Sequence, residues 1–346
     1  LSRLGRLAAE NSSLMLTGRT HNVAAQPTTL GKRFANTAEE LINAYHKANF
    51  LLTNLPLRGL KGPVGTQQDL LDLFDGDNEK VSLIENRVAE ILGFDEVLDS
   101  VGQVYPRSMD FEVVSALVHI SSAPSNFSKT VRLMAGNNLV SEGFQQGQVG
   151  SSAMPHKTNT RTSERINGLS LVLKGYLSMV GGLVGDQWNE GDVSCSVVRR
   201  VALPDSFFAI DGLFQSFLTV LDEFGSFPAV IEKELSEELP YLSTTRLLVA
   251  AVQKGIGRET AHEIISEHAR TSSMSRRENL DGPSLVELLD LDDRFPLNEE
   301  EMNQLFNQRT VLIGNAFNQV QLVIEKIADI VTHRPLAASY KPESII

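Results

Sequence analysis

Four short stretches hold the side chains that could do chemistry. The densest is Gly150-Ser151-Ser152-Ala153-Met154-Pro155-His156-Lys157-Thr158-Asn159-Thr160-Arg161-Thr162-Ser163-Glu164-Arg165. It combines paired hydroxyls with an imidazole, an ammonium, two guanidiniums and a carboxylate, far more polar variety than a linker needs. Gly150 lets the backbone approach a ligand closely, and Lys157 adds local positive charge. The second stretch is Thr20-His21, whose imidazole can give or take a proton near neutral pH. The third, Gly102-Gln103-Val104-Tyr105-Pro106-Arg107-Ser108, precedes a long helical pattern that Ser108 can cap. The fourth runs from Gln187 to Arg200 and ends in paired arginines, whose forked donors suit a phosphate or carboxylate.

Several other chemistries are excluded. There is no GxSxG elbow, no CxxC pair and no HExxH. His262 and His268 are six residues apart, so one helix places them on different faces, unsuited to a shared tetrahedral metal. Gly59, Gly62 and Gly65 follow no strand and precede no Lys-Ser/Thr, which argues against a phosphate-cradling P-loop.

The elements that must position these groups read as helices. The 346-residue chain is long enough for a substantial core and two domains. Helical periodicity runs over about 27–55, 67–75, 79–93 and 108–135, the last continuing through Pro124. It resumes over 163–184 and 196–224, with Pro204 inside. These long helices are apolar or small over more than half their circumference, as inner members of a large bundle require. Shorter helices are expected at 243–254, 257–270, 282–289 and 298–304, then a long one at 309–333. Convincing strand alternation is absent, so the fold class is all-α. The composition shift around Pro228–Tyr241 places a boundary between a long-helix bundle domain, 1–236, and a C-terminal helical domain, 237–346. Thr160 is expected to cap the helix after the loop, with Glu164 favoured by its dipole.

The formal net charge of −12 speaks against nucleic acid or an anionic membrane surface as partner. The apolar tract 169–184 contains Lys174 and falls short of a membrane span. Cys195 is the lone cysteine, which precludes an intrachain disulfide and suits a reducing, cytoplasmic compartment.

The loop 150–165 resembles the signature loop of the fumarase/aspartase lyase superfamily (Gly-Ser-Ser-x-Met-Pro-x-Lys-x-Asn). Together with Thr20-His21, Gln103-x-Tyr105-x-Arg107 and the stretch from Glu238-Leu239-Pro240-Tyr241 to Gly257–Glu263, it looks most like the adenylosuccinate lyase family, over nearly the whole chain. The resemblance implies β-elimination of fumarate from a succinyl-purine nucleotide, without metal or organic cofactor. Ser151 would be the general base and His21 the general acid. Thr20, Gln103, Ser152, Lys157, Asn159 and Glu164 would contact substrate, and Arg165, Ser196 and Arg200 would hold its phosphate and surroundings. It also implies a homotetramer with shared active sites, and a small N-terminal domain that has no counterpart here and is expected to precede Leu1. The sequence departs from the family pattern at Val23, Thr160 and Gly191, the last standing where many relatives carry Arg. Other superfamily lyases and a non-catalytic scaffold are the competing readings. Paired Arg165 and Arg200 argue against the former, retention of Ser151, His21 and Lys157 against the latter.

Overall fold

The computed structural model describes residues 1–143, 158–279 and 281–342. In chain order the elements are α1 (Ser2–Glu10), β1 (Met15–Thr20), β2 (Val23–Thr29), α2 (Leu30–Asn54), α3 (Gln68–Leu73), α4 (Asn78–Leu92), α5 (Ser108–Gly136), β3 (Val140–Ser141), α6 (Arg161–Gly181) and α7 (Ser194–Glu223). There follow β4 (Gly225–Ser226), α8 (Pro228–Leu242), α9 (Thr244–Gln253), α10 (Arg258–Glu278), α11 (Leu285–Asp290), α12 (Glu299–Asn307), α13 (Arg309–Leu312), α14 (Ala316–His333) and α15 (Pro335–Ala338). The fold is helical, as expected, with a few short strands.

Two compact units result, and neither is contiguous. One comprises Thr37–Gly225 with Arg334–Ile346; the other comprises Ser2–Asn36 with Ser226–His333. The expected division cut the chain once, at 236/237, whereas the observed second unit gathers Ser2–Asn36 with Ser226–His333.

In the long-helix unit, α5, α6 and α7 pack on one another. On α5 the buried positions Asp110, Val114, Leu117, Ser121, Pro124, Ser128 and Val131 alternate steps of four and three. That spacing keeps one stripe facing its neighbours along the whole helix. Leu173 and Ile166 of α6 and Leu213 and Phe217 of α7 complete the core. The Phe127 and Phe217 rings meet edge to face, centroids 5.9 Å apart. Small residues bring the helices close, and Ser121 and Ser170 join by their hydroxyls at 3.2 Å. Both prolines lie within unbroken helices, as the periodicity predicted.

The second unit holds a departure. Where the sequence predicts no strand, β1 and β2 form an antiparallel hairpin closed by Thr20 opposite Val23. The two loop residues, His21 (φ 53°) and Asn22 (φ 62°), are both left-handed, the backbone of a type I′ turn matched to strand twist. A bulge lies between Thr17 and Arg19, and a Cβ on Gly18 would come within 2.4 Å of the Gln26 carbonyl oxygen. The acidic stretch read as a boundary is α8, with Pro228 opening it and Ile231, Leu235, Leu239 and Leu242 buried on one face. It packs on both strands. Met15 from β1 joins Leu235, Leu247, Ile264, Leu289 and Met302 in this unit's core. Capping boxes at Ser284/Glu287 and Asn298/Glu301 start α11 and α12.

Candidate active site

The sequence-predicted site residues fall into three groups. Thr20 and His21 belong to the hairpin unit; Gln103, Asn159, Glu164, Arg165, Ser196 and Arg200 belong to the long-helix unit. Ser151, Ser152 and Lys157 lie outside the described residues.

His21 is exposed at the hairpin tip. The left-handed backbone there is unusual for a non-glycine residue and is held by its surroundings. Arg19 makes one such contact, pairing with Glu234 of α8 at 3.2 Å and donating to the Asn22 carbonyl at 3.4 Å. Arg33, donating to the Thr17 carbonyl at 3.0 Å, lies under the same strand. Burial lowers its pKa to about 10, with the nearby Arg19 charge adding to the effect and Glu234 opposing it.

In the long-helix unit, Gln103 and the start of α7 are tied together. The Gln103 N–H donates to the Glu190 carbonyl at 2.7 Å, and a Cβ on Gly102 would strike the Glu190 backbone at 2.5 Å. Gly191, at φ 156°, abuts Gln103: a Cβ there would meet Gln103 Oε1 at 3.1 Å. A side chain at this position is therefore strained and crowded, which favours glycine there. Asp192 accepts from both the hydroxyl and the backbone N–H of Ser194, which lowers its carboxyl pKa.

Sequence reasoning missed a buried cluster beside Gln103. Asp110, in the first turn of α5 and 3% exposed, accepts from Tyr105 Oη at 2.6 Å, Arg107 Nη1 at 3.1 Å and Arg199 Nε at 2.8 Å. Arg199 also donates to the Tyr105 hydroxyl. Both guanidiniums lie over the Tyr105 ring, 4.0 Å and 5.0 Å from its centroid. Burial pushes the Tyr105 phenol pKa up, and donation to Asp110 adds to it. A hollow of about 240 Å³ walled by Leu57, Phe94, Met109 and Val113 backs Tyr105 and Asp110. The alternating charges of Tyr105-x-Arg107 and Asp110 near a helix start were the available signal; the partner at 199 was not.

The start of α6 also differs from expectation. The Thr160 side chain makes no capping bond. Glu142, before the signature loop, takes the Thr162 and Ser163 N–H groups instead, each at 2.8 Å. A full carboxylate satisfies two orphan donors and the helix dipole together, which a hydroxyl cannot. Glu164 lies in that first turn as predicted, exposed beside Arg165. His268 contacts Asp292 at 2.7 Å, and among the described residues no cluster of His, Cys, Asp and Glu could hold a metal.

A family model described as lyase matches residues 1–175, and one described as adenylosuccinate lyase C-terminus matches residues 240–323. The adenylosuccinate lyase of Saccharomyces cerevisiae is 33% identical over 326 residues, 94% of this chain and 67% of that protein. The chain belongs to the adenylosuccinate lyase family. That of Schistosoma mansoni is 31% identical over 99% of this chain and 70% of its own length. The chain thus spans about two thirds of the length of these relatives. Among solved structures, the 3-carboxy-cis,cis-muconate lactonizing enzyme of Pseudomonas putida aligns with a TM-score of 0.79 at 20% identity, covering 93% of this chain and 69% of the other. A fumarate lyase from Mesorhizobium sp. BNC1 aligns at 0.78 with 18% identity, covering 93% and 70%. These two are alike in fold. The activity class, a lyase releasing fumarate, stands as the resemblance implied, and no helix among the described residues is long and apolar enough to cross a membrane.

Proposed function

We propose that this protein cleaves the succinyl C–N bond of adenylosuccinate, giving AMP, and of the succinyl-carboxamide ribotide of purine synthesis, with fumarate as the common product. Ser151, as oxyanion, removes the Cβ proton. The resulting carbanion spreads its charge into the adjacent carboxylate, so the substrate itself is the electron sink and no cofactor enters. Lys157, Asn159 and loop N–H groups stabilise that aci-carboxylate. Donors of this kind are each worth roughly 3 kcal/mol, about a hundredfold in rate. His21 protonates the departing nitrogen. Arg165, Ser196 and Arg200 hold the phosphate, with Thr20, Gln103, Ser152 and Glu164 completing the contacts.

The observation that carries this reading is the family match on both sides of the chain, reinforced by the bond from the Gln103 N–H to the Glu190 carbonyl, just ahead of the helix that bears Ser196 and Arg200. Catalytic groups on separate units suit an assembly in which several subunits build each site. We read the protein as a homotetramer in the cytoplasm. Its support is the uncovered apolar surface of α6 and α7, where Phe208 is 75% and Leu171 69% exposed.

The test is to incubate the purified protein with adenylosuccinate and, separately, argininosuccinate, and to follow fumarate. Release from adenylosuccinate alone is expected; release from neither sinks the reading. Ser151→Ala and His21→Ala should each lose most of the rate, and a fully active Ser151→Ala removes Ser151 as base.

A further inference from the structure

We infer that Arg199 is a positioning residue: through Asp110 and Tyr105 it sets the rotation of the first turns of α7, and with it Ser196 and Arg200 relative to Gln103. The inference rests on the substrate contacts proposed for those three residues, but its geometry stands apart from them.

Two ties join the turn 102–107 to the start of α7. One is backbone, Gln103 N–H to the Glu190 carbonyl. The other is the side-chain cluster centred on Asp110. Arg107, three residues before Asp110 and with a side chain 1% exposed, already neutralises that carboxylate. It also donates Nε and Nη2 to the Tyr105 carbonyl, at 2.9 Å and 2.6 Å. Arg199 is thus not required to neutralise a buried charge. It brings a second guanidinium to one carboxylate, from 89 residues away, with a side chain 27% exposed.

What Arg199 adds is orientation. Its planar fork engages two partners at once, Asp110 Oδ2 by Nε and the Tyr105 hydroxyl by Nη2. A fork held at two points fixes a direction, which a single ammonium cannot. Ser196 stands three residues earlier on the same helical face, and Arg200 is the next residue. Turning α7 about its axis would move both relative to Gln103. Placement errors near 1 Å at a binding group have large consequences, on the order of a hundredfold.

Arg199→Lys keeps the charge and removes the fork; Tyr105→Phe removes one of the two anchors and keeps the ring. Each is assayed for fumarate release from adenylosuccinate and for hydrogen exchange of the backbone amides of 194–200. Arg199→Lys should raise KM about tenfold with kcat within about twofold, the pattern of a lost ground-state contact. The amides should exchange several-fold faster, with the thermal midpoint nearly unchanged. Tyr105→Phe should shift both readouts in the same direction by less. Unchanged KM and exchange in Arg199→Lys overturn the inference. So does a fall in the midpoint with KM unaltered, which marks a merely structural contact. If the unaltered protein releases no fumarate, the proposed function fails, and amide exchange alone then decides: wild-type exchange in Arg199→Lys overturns the clamp, faster exchange upholds it.

Discussion

Glu142 Oε2 accepts the Ser163 N–H at 2.8 Å, and Oε1 accepts the Thr162 N–H at the same distance. Residues on either side of the signature stretch are thereby joined through one carboxylate that is 7% exposed. The contact lies at the positive end of α6, where an anion is favoured. It also uses that end, since the Thr162 and Ser163 amides of the first turn are taken by Glu142.

Glu142→Ala should therefore destabilise the protein by about 2–3 kcal/mol, since a buried and a part-buried donor lose their partner. Glu142→Gln keeps an acceptor but loses the charge, and should cost about 1 kcal/mol. Fumarate release should fall more steeply than the urea midpoint in the Ala variant. Urea unfolding alongside steady-state kinetics measures both, and a wild-type unfolding midpoint in Glu142→Ala would contradict the account.

At the hairpin tip, the left-handed backbone at residue 22 selects the side chain. Asn tolerates φ near 60° because its short amide satisfies local backbone groups; a β-branched residue does not. Asn22→Val should strain the turn by about 1–2 kcal/mol and displace His21, lowering kcat with little change in KM if His21 is the acid. Asn22→Gly should keep the turn and most of the activity. Equal kcat in the Val variant and the wild type would separate turn geometry from catalysis.

The same turn shows why parts of the molecule were illegible in sequence. The long helices were readable because α5 repeats its apolar stripe over eight turns, and a pattern of that length outweighs Pro124. The hairpin was not: β1 carries Gly18, β2 carries Pro27 and Gln26, and its loop is His-Asn rather than a glycine pair. Its stability comes from α8 and from Met15 in the core, contacts made with residues over two hundred positions away. For the same reason α8 read as a boundary, because its four glutamates dominate the pattern and only Ile231, Leu235, Leu239 and Leu242 report the fold. In the candidate site, side-chain types announced phosphate and proton chemistry, but the partners Glu142 for Ser163 and Arg199 for Asp110 depend on long-range folding. No local pattern holds them.

Acid should weaken the hairpin unit through Asp292. Its carboxylate accepts from Arg294 foremost and also contacts His268, and these hold its pKa well below the ordinary carboxylate range. A folded carboxyl that binds its proton less readily than the unfolded one gives stability present in full above about pH 4 and drained progressively below it. Asp292→Asn removes that dependence. Its midpoint should lie below the wild type at pH 6, and the gap should narrow as the pH falls to 3. A gap that stays constant between those values would assign the acid sensitivity to other carboxylates.

Assembly offers the last test, because the apolar surface of α7 is exposed among the described residues. Phe207 is 52% and Phe208 75% exposed on the helix that bears Ser196 and Arg200, and Val197 is 62% exposed a few turns earlier. Single exposed apolar residues are commonplace, but several large ones on one buried-type helix mark a face that another surface covers. Closed symmetric association of identical chains is the usual way such a face is buried. Phe208→Asp places a charge in that contact, and desolvating it should cost several kcal/mol per interface. Sedimentation should then show the proposed tetramer falling to smaller species, with helical circular dichroism retained. Fumarate release should fall with the assembly under the proposed arrangement, in which several subunits build each site. A Phe208→Asp protein that remains tetrameric would exclude this face from the contact, and a dissociated protein with full activity would place every catalytic group within one chain.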